Sequence, residues 1–205
     1  MLIKALASSL LIALVASSAS AVGTFYTTEA SFLANTNPTR YLEDFSGFTF
    51  GNPLDGTQTS YVAPGANGFG WTASAALGLY SNVSALSTNA ANDPITILFT
   101  GLPVTAFGGI FANTDINGNI IPGTVTVMTS DGGSQTVTTN GFLGYTSNVT
   151  ITSITMLAAG TTNNWVQVDH FYTGTAAVPE PGTIALLSLG AVGLVGAAIK
   201  RRRQA

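Results

Sequence analysis

Short segments of alternating or continuous apolar residues recur along the middle of the chain, with turn residues between them. Alternation with a period of two is typical of a strand that buries one face, and runs of this length are typical of strands rather than helices. Eight strands are predicted, at residues 41–45, 69–73, 95–100, 105–112, 123–129, 134–139, 151–157 and 165–172. Their number and spacing predict an all-β fold, a single jelly-roll or β-sandwich domain over residues 22–176.

The clearest local prediction is a hairpin in TVTVMTSDGGSQTVTT, residues 124–139. Its centre, Asp131-Gly132-Gly133, consists of residues that tolerate the positive φ of a tight turn. No amphipathic helix of ten or more residues stands out, although residues 28–34 are expected to form a short helix. Thr alternates in several strands, which is typical of a residue with high β propensity on a solvated face.

The first 21 residues, MLIKALASSLLIALVASSASA, have the three parts of a secretory signal peptide. Lys4 is a basic start, residues 5–16 are apolar, and Ala19 and Ala21 are the small residues of a cleavage site. The run has no amphipathic stripe, which argues against a buried N-terminal helix. The mature chain is therefore expected to begin near Val22.

The last 28 residues, VPEPGTIALLSLGAVGLVGAAIKRRRQA, combine a proline-rich break, an apolar run and a basic cluster. Pro179 and Pro181 flank Glu180, and prolines at this spacing predict an extended, exposed segment. Residues 182–199 carry no charge and would span about 27 Å as a helix, just enough to cross a bilayer. The basic residues after this span are expected to stay on the cytoplasmic side: Lys200, Arg201, Arg202 and Arg203.

This order of Pro-Glu-Pro, apolar span and Arg-rich end resembles the PEP-CTERM sorting signal of Gram-negative bacteria. The resemblance, over residues 177–205, implies recognition of Pro179, Glu180 and Pro181 by exosortase, a membrane-embedded cysteine transpeptidase or protease. It also implies export through the inner membrane, transient anchoring by one C-terminal helix, and delivery to the cell surface or to extracellular polysaccharide. The same segment is known from the C-termini of ice-binding-type proteins, but no repeat of fixed period builds the regular Thr rows that an ice-binding face needs.

Several segments of the middle region also resemble the core that PEP-CTERM proteins commonly carry. The similar segments are YLEDFSGF, ITILFTGLPVTAFGGIF, GFLGYTS, ITSITML and VQVDHFYTG. The resemblance implies a jelly-roll domain of the carbohydrate-binding kind. One position departs from the pattern, because His170 stands where Asn is usual.

Composition and charge narrow the classes of partner. Only 7% of residues are charged while 46% are hydrophobic, which suits a β-rich extracellular domain. Residues 22–177 contain one basic residue, Arg40, against eight acidic ones, a formal charge of −7. A region this acidic lacks the cationic surface that binds phosphates, so nucleic acid is not an expected partner. The absence of cysteine excludes disulfides, thiolate zinc sites and thiol nucleophiles.

No catalytic residue is predicted. Asp169 and His170 are adjacent, but neighbouring side chains on a strand point to opposite faces and are not expected to form a dyad. No Gly-x-Ser-x-Gly elbow is present. A glycosidase would need two carboxylates facing each other, and Glu43 and Asp44 also alternate faces. We expect the protein not to be an enzyme.

No cofactor is required, but structural calcium is a candidate because its oxygen ligands are plentiful here. Glu43 or Asp44, with Asp169, would bridge the first and last predicted strands. The alternative is carboxylates satisfied by backbone amides. The loop at residues 113–119 resembles the start of a calcium loop, yet Thr124 occupies the position of the expected bidentate Glu, and a turn at residues 117–118 is the competing interpretation.

Sugar binding would use exposed aromatic rings and amides. Trp71 and Trp165 are the leading candidates, with Tyr80 and Tyr145 behind them, although each ring taken singly is more often a core residue. The leading hypothesis is an exported surface or matrix protein with a structural or adhesive role in exopolysaccharide or biofilm. The alternative is a lectin-like carbohydrate-binding module; an extracellular hydrolase and an ice-binding protein are less favoured.

Overall fold

The computed structural model describes residues 23–160 and 163–177. The predicted signal peptide, with Ala19 and Ala21, lies outside the described residues. So do the Pro-Glu-Pro segment at residues 179–181, the predicted membrane span at residues 182–199 and the basic cluster at residues 200–203. Within the described ranges, no helix combines the length and the apolar character needed to cross a membrane.

The described residues form thirteen strands and one short helix. The strands are β1 (Thr24–Tyr26), β2 (Tyr41–Glu43), β3 (Ser60–Val62), β4 (Phe69–Ser74), β5 (Leu79–Asn82), β6 (Ala85–Thr88), β7 (Ile95–Gly101), β8 (Val104–Thr114), β9 (Thr124–Thr129), β10 (Ser134–Thr138), β11 (Gly141–Ile151), β12 (Ser153–Ala159) and β13 (Trp165–Gly174). Helix α1 (Glu29–Ala34) lies between β1 and β2.

The strands pair into two antiparallel sheets that face each other. The first sheet has the order β1-β11-β8-β13-β6-β5, with β2 also paired to β13. The second has the order β10-β9-β12-β7-β4-β3. From β7 to β13 the chain crosses repeatedly between the two sheets, which is the connectivity of a jelly roll. The predicted all-β sandwich is confirmed.

The interior between the sheets is built from alternate residues of each strand. In β4, Phe69, Trp71 and Ala73 are buried while the residues between them are more exposed. Rings from both sheets meet in this layer: Trp71 of the second sheet contacts Phe171 of the first, with ring centroids 5.5 Å apart. The apolar face of each strand, read as period two in the sequence, is therefore the face that closes the sandwich.

The predicted hairpin and short helix are both confirmed. Strands β9 and β10 pair around the turn at Asp131, where Gly132 adopts a φ of +94°. Helix α1 begins after Thr28, whose side-chain oxygen caps the backbone N–H of Ser31. Its buried residue, Phe32, packs on the outer face of the first sheet against Ala106 and Tyr172.

Strand β11 was not predicted, because its sequence reads as Gly-rich and polar rather than alternating. Gly144 of β11 and Gly108 of the neighbouring β8 both lie directly beneath helix α1. A Cβ at Gly144 would lie 2.5 Å from the ring of Phe32, and a Cβ at Gly108 of the neighbouring strand would lie 3.0 Å from the same ring. The glycines make room for helix α1, so the irregular pattern of β11 reflects what packs on it.

The outer face of the second sheet is rich in hydroxyl groups, and no helix of the described residues packs on it. The register places Thr126 opposite Thr136 and Thr96 opposite Thr155, and the side-chain oxygens of these pairs lie 2.9 and 3.3 Å apart. Alternating Thr residues therefore lie on a solvent-facing sheet surface, as the sequence predicts.

Candidate functional site

A cavity of about 290 Å³ lies at the end of the first sheet where β5, β6, the end of β8 and the start of β13 come together. Its walls come from four separate parts of the chain: the segment before β3, the β5–β6 hairpin with the residue after it, the loop after β8, and the first residue of β13. The lining residues are Phe50, Tyr80, Asn82, Ser87, Thr88, Asn89, Thr114, Asp115, Ile116, Gly118 and Trp165.

Three aromatic rings contribute to the walls. Phe50 and Tyr80 meet edge to face, with centroids 5.1 Å apart and planes at 72°. Phe50 is 55% exposed, although it is a large apolar side chain. Trp165 is half-buried, and its indole Nε1 donates a hydrogen bond of 3.2 Å to the Asn89 carbonyl. That bond holds the indole in place, so the ring is presented in one orientation.

The hydrogen-bond donors around the cavity are mostly engaged within the protein. The Asn82 amide nitrogen donates to Gln167 Oε1 at 2.7 Å and to the Gly118 carbonyl at 3.3 Å. The Asn89 amide nitrogen donates to the Leu77 carbonyl at 3.3 Å. The unused capacity is therefore mainly for accepting hydrogen bonds.

Thr88 departs from this pattern. It is 2% exposed, it lines the cavity, and its hydroxyl oxygen is buried without a hydrogen-bond partner. A buried hydroxyl without a partner costs free energy and calls for an explanation, such as a bound water or ligand. Among the described residues that line the cavity, Thr88 is the one that has such an unpartnered side-chain atom.

The loop after β8 is organised by Asp115. One carboxylate oxygen accepts the backbone N–H groups of Asn117 and Asn119 at 2.8 and 2.9 Å, and the other accepts the Asn119 amide at 3.0 Å. Hydrogen bonds from the Asn119 side chain and backbone hold the pKa of Asp115 below its usual value. The carboxylate thus closes its own turn, which favours the turn over the calcium-loop interpretation of this segment.

Gly118 is required at the tip of this loop. Its φ is +78°, and a Cβ there would lie 2.2 Å from the Asn82 amide nitrogen. The loop can approach the β5–β6 hairpin only because this residue has no side chain.

Of the four aromatic residues considered as sugar contacts, two line the cavity and two are buried. Trp165 and Tyr80 line the cavity. The prediction that Trp71 contacts a sugar is wrong, because its side chain is 0% exposed and packs in the core between the sheets. Tyr145 is also buried, and its hydroxyl donates to Asp131 at 3.0 Å. Phe50, Thr88 and Ile116 also line the cavity, and no local sequence pattern predicts this, because they come from segments that are distant along the chain.

The three predicted calcium ligands lie in one region but already accept local hydrogen bonds. Glu43 accepts from the Tyr41 hydroxyl and, at 3.1 Å, from the Phe45 N–H. Asp44 accepts from the Ser46 N–H at 2.9 Å, and this bond, with one from the Ser46 side chain, lowers its pKa. Among the described residues, no group of three or more His, Asp or Glu side chains is placed to hold a metal ion. The carboxylates form no ready ligand set, and calcium binding stays a prediction.

Asp169 and His170 do not obey strand alternation, so the expectation that they point to opposite faces is wrong. His170 Nδ1 lies 2.9 Å from Asp169 Oδ1. The backbone explains the contact, because His170 has a φ of +46° inside an irregularity where the pairing of β13 with β8 shifts between Asp169 and Tyr172. Asp169 Oδ1 also accepts the His170 N–H at 2.6 Å, so this carboxylate serves the local turn.

Comparisons with solved structures concern the sandwich. A CBM35 from Cellvibrio japonicus Abf62 is 15% identical, with a TM-score of 0.35, over 69% of this chain and 98% of the other. A family two carbohydrate esterase from Cellvibrio japonicus is 7% identical, with a TM-score of 0.29, over 78% of this chain and 36% of the other. At these TM-scores neither likeness bears on function.

Comparisons of sequence concern the other end. No curated protein matches the chain significantly. The PEP-CTERM protein-sorting motif matches residues 177–203, the segment with Pro-Glu-Pro, the apolar run and the basic cluster. The chain therefore carries a PEP-CTERM protein-sorting motif in this segment.

Proposed function

We propose that this protein is exported, sorted by exosortase and delivered to the cell surface or extracellular matrix, where its sandwich binds extracellular polysaccharide without catalysing a reaction. The role is adhesive or structural, within an exopolysaccharide or biofilm matrix. The observation that carries the binding function is the cavity at the end of the first sheet, with its three aromatic rings and the unpartnered hydroxyl of Thr88.

The sorting part of the proposal rests on the motif at residues 177–203. Exosortase would recognise Pro179, Glu180 and Pro181 while residues 182–199 hold the chain in the inner membrane. Lys200 to Arg203 would keep the end of that span on the cytoplasmic side. The signal peptide and this tail together place the sandwich outside the inner membrane, where polysaccharide is available.

The chemistry of the cavity suits a sugar better than other polar ligands. Aromatic faces pack against the C–H groups of a pyranose, while hydroxyls and amides bond its hydroxyl groups. Phe50, Tyr80 and Trp165 supply the first kind of surface, and Thr88 and Asn89 supply the second. The acidic sandwich argues against nucleic acid and other polyanions as partners.

The same cavity does not suit a glycosidase. Hydrolysis of a glycosidic bond ordinarily needs two carboxyl groups flanking it. Asp115 is the single carboxylate among the lining residues, and both of its oxygens accept hydrogen bonds from its own loop. The cavity therefore binds rather than cleaves, and the adhesive function is favoured over the hydrolase.

Affinity electrophoresis tests the binding function. Mature protein recovered from its host would be run through gels containing the host's own exopolysaccharide, beside the variants Trp165→Ala and Leu98→Ala. Leu98 is 53% exposed on the second sheet and controls for loss of an exposed apolar side chain. We expect retardation of the wild type and of Leu98→Ala, and loss of retardation for Trp165→Ala with an unchanged circular dichroism spectrum. Equal mobility with and without polysaccharide would refute a polysaccharide-binding sandwich.

A further inference from the structure

We infer that the cavity selects uncharged sugar residues that carry an acetamido group. This inference rests on the proposed binding function and adds the ligand class to it. Three features of the cavity support it: the apolar groups at the opening, the balance of donors and acceptors in the walls, and the charge of the site.

The opening presents apolar side chains where a fully hydroxylated sugar would place hydroxyl groups. Ile116 is 71% exposed and Phe50 is 55% exposed, and both line the cavity. A hydroxyl held against either side chain would lose its hydrogen bonds to water and gain none. A methyl group in the same place would remove apolar surface from water on both sides. The opening thus favours a ligand that carries a methyl group.

Most hydrogen-bond donors in the cavity walls already donate to groups of the protein. The amide nitrogens of Asn82 and Asn89 and the indole N–H of Trp165 all donate to groups of the protein. The hydroxyls of Ser87 and Thr114 donate to the backbone carbonyls of Val166 and Trp165. Lone pairs on these hydroxyls and on the Asn89 side-chain oxygen stay available. A ligand that brings N–H or O–H donors satisfies such a wall, whereas a carboxylate, which only accepts, does not.

The negative charge of the cavity and of the surrounding sandwich also favours an uncharged ligand. Asp115 is the one ionised group that lines the cavity, and residues 22–177 carry a formal charge of −7. Uronic acids and sulfated sugars would meet negative charge without a cation to bind them. An acetamido group combines a methyl, an N–H donor and zero charge, so it meets all three conditions in one substituent.

Isothermal titration of the mature protein with three tetrasaccharides tests the selection: β-1,4-linked N-acetylglucosamine, β-1,4-linked glucose and α-1,4-linked galacturonic acid. We expect the acetylated tetramer to bind roughly fourfold more tightly than the glucose tetramer, from the burial of one methyl group. The galacturonate tetramer should show no binding.

The variant Ile116→Ser separates this selection from binding as such. It should lower the affinity for the acetylated tetramer more than the affinity for the glucose tetramer, so that the difference between the two ligands is largely lost. Ile120→Ser is the matched control, since Ile120 is 51% exposed in the same loop but does not line the cavity. Equal affinities of the wild type for the acetylated and glucose tetramers would overturn the inference while the binding function stood. Absence of binding to any tetramer and to the host polysaccharide would overturn both.

Discussion

Trp71 and Phe171 meet edge to face between the two sheets, with their ring planes at 87° and their centroids 5.5 Å apart. Both side chains are fully buried. The indole Nε1 of Trp71 has no hydrogen-bond partner. The largest residue of the core therefore packs well while leaving one donor unsatisfied, and its place in the sandwich is decided by ring packing rather than by polar contacts.

Replacing Trp71 tests whether ring packing or the unsatisfied N–H determines its contribution to stability. Trp71→Ala should lower the free energy of unfolding by about 3–5 kcal/mol, because it opens a large cavity between the sheets. Trp71→Phe keeps an aromatic ring and removes the unsatisfied N–H, so its cost should be clearly smaller than that of the alanine variant. Urea unfolding followed by circular dichroism measures both. Equal losses for the two variants would mean that the polar donor, not the ring, decides the contribution of Trp71.

Trp71 illustrates what the alternation of apolar residues in a strand can predict and what it cannot. Period-two alternation in residues 69–73 correctly places this side chain on one face of a strand, but it does not say which face is buried against the other sheet. Trp165 has the same chemistry and lies at the start of a strand, where Thr114 and Asn89 meet it from distant parts of the chain. Exposure is set by the tertiary arrangement, so the two tryptophans could not be separated beforehand.

The face to which each side chain of a strand points was predicted less well than the existence of the strand. The alternation rule separates Asp169 from His170, and the structure reverses this because one residue with positive φ interrupts the strand. His is enriched among non-Gly residues at positive φ, but a single His inside a strand pattern does not by itself mark such a position. Local irregularities of this kind depend on the pairing with both neighbours and are invisible to a periodicity argument.

Helix α1 should depend on the glycine beneath it. Gly144→Ala would put a Cβ within 2.5 Å of the Phe32 ring, which is buried and cannot move aside freely. We expect a loss of about 1–3 kcal/mol in the free energy of unfolding, as for other overpacked sites.

Gly47→Ala is the control for that variant, because no atom lies within 4 Å of a Cβ at Gly47 and its φ is not positive. Its effect should stay within about 0.5 kcal/mol. Urea unfolding of the two variants gives the comparison. Equal stabilities would show that Phe32 relocates without cost and that the helix is not held by this contact.

Asp131 should make stability depend on acid pH. It lies in the β9–β10 turn of the second sheet and accepts hydrogen bonds from Ser147 at 2.6 Å and Tyr145 at 3.0 Å, both on β11 of the first sheet. Burial raises the pKa of Asp131, but the hydrogen bonds from Ser147, Thr129 and Tyr145 outweigh it and hold the pKa below its usual value of 3.8. A lowered pKa means that the ionised form stabilises the fold. This contribution is complete above the usual pKa and is lost as the pH falls through the folded-state pKa.

Asp131→Asn should therefore cost about 1 kcal/mol at neutral pH, near the low end for a charged acceptor because water reaches this half-exposed group. The cost should shrink at pH values well below 3.8, where the wild-type carboxyl is protonated too. Urea unfolding at neutral and at strongly acid pH measures the difference. Asp55→Asn is the control, since the Asp55 carboxylate accepts its hydrogen bonds from Thr57 in its own turn and does not bridge the two sheets. A deficit for Asp131→Asn that does not change with pH would contradict the assignment.

Sorting determines which ligands the sandwich can encounter. In the host, intact mass of the protein from the extracellular matrix should lack the first 21 residues and the tail, because we expect the signal peptide and the segment with the PEP-CTERM motif at residues 177–203 to be removed. Glu180→Ala should keep the tail and stay in the inner-membrane fraction, since the carboxylate between the two prolines is lost. Asp55→Ala, which removes an exposed carboxylate from the sandwich instead, should be sorted like the wild type. A wild-type protein found with its tail intact in the inner membrane would replace the matrix protein by a permanently anchored periplasmic domain, and the ligand would then have to be sought in the periplasm.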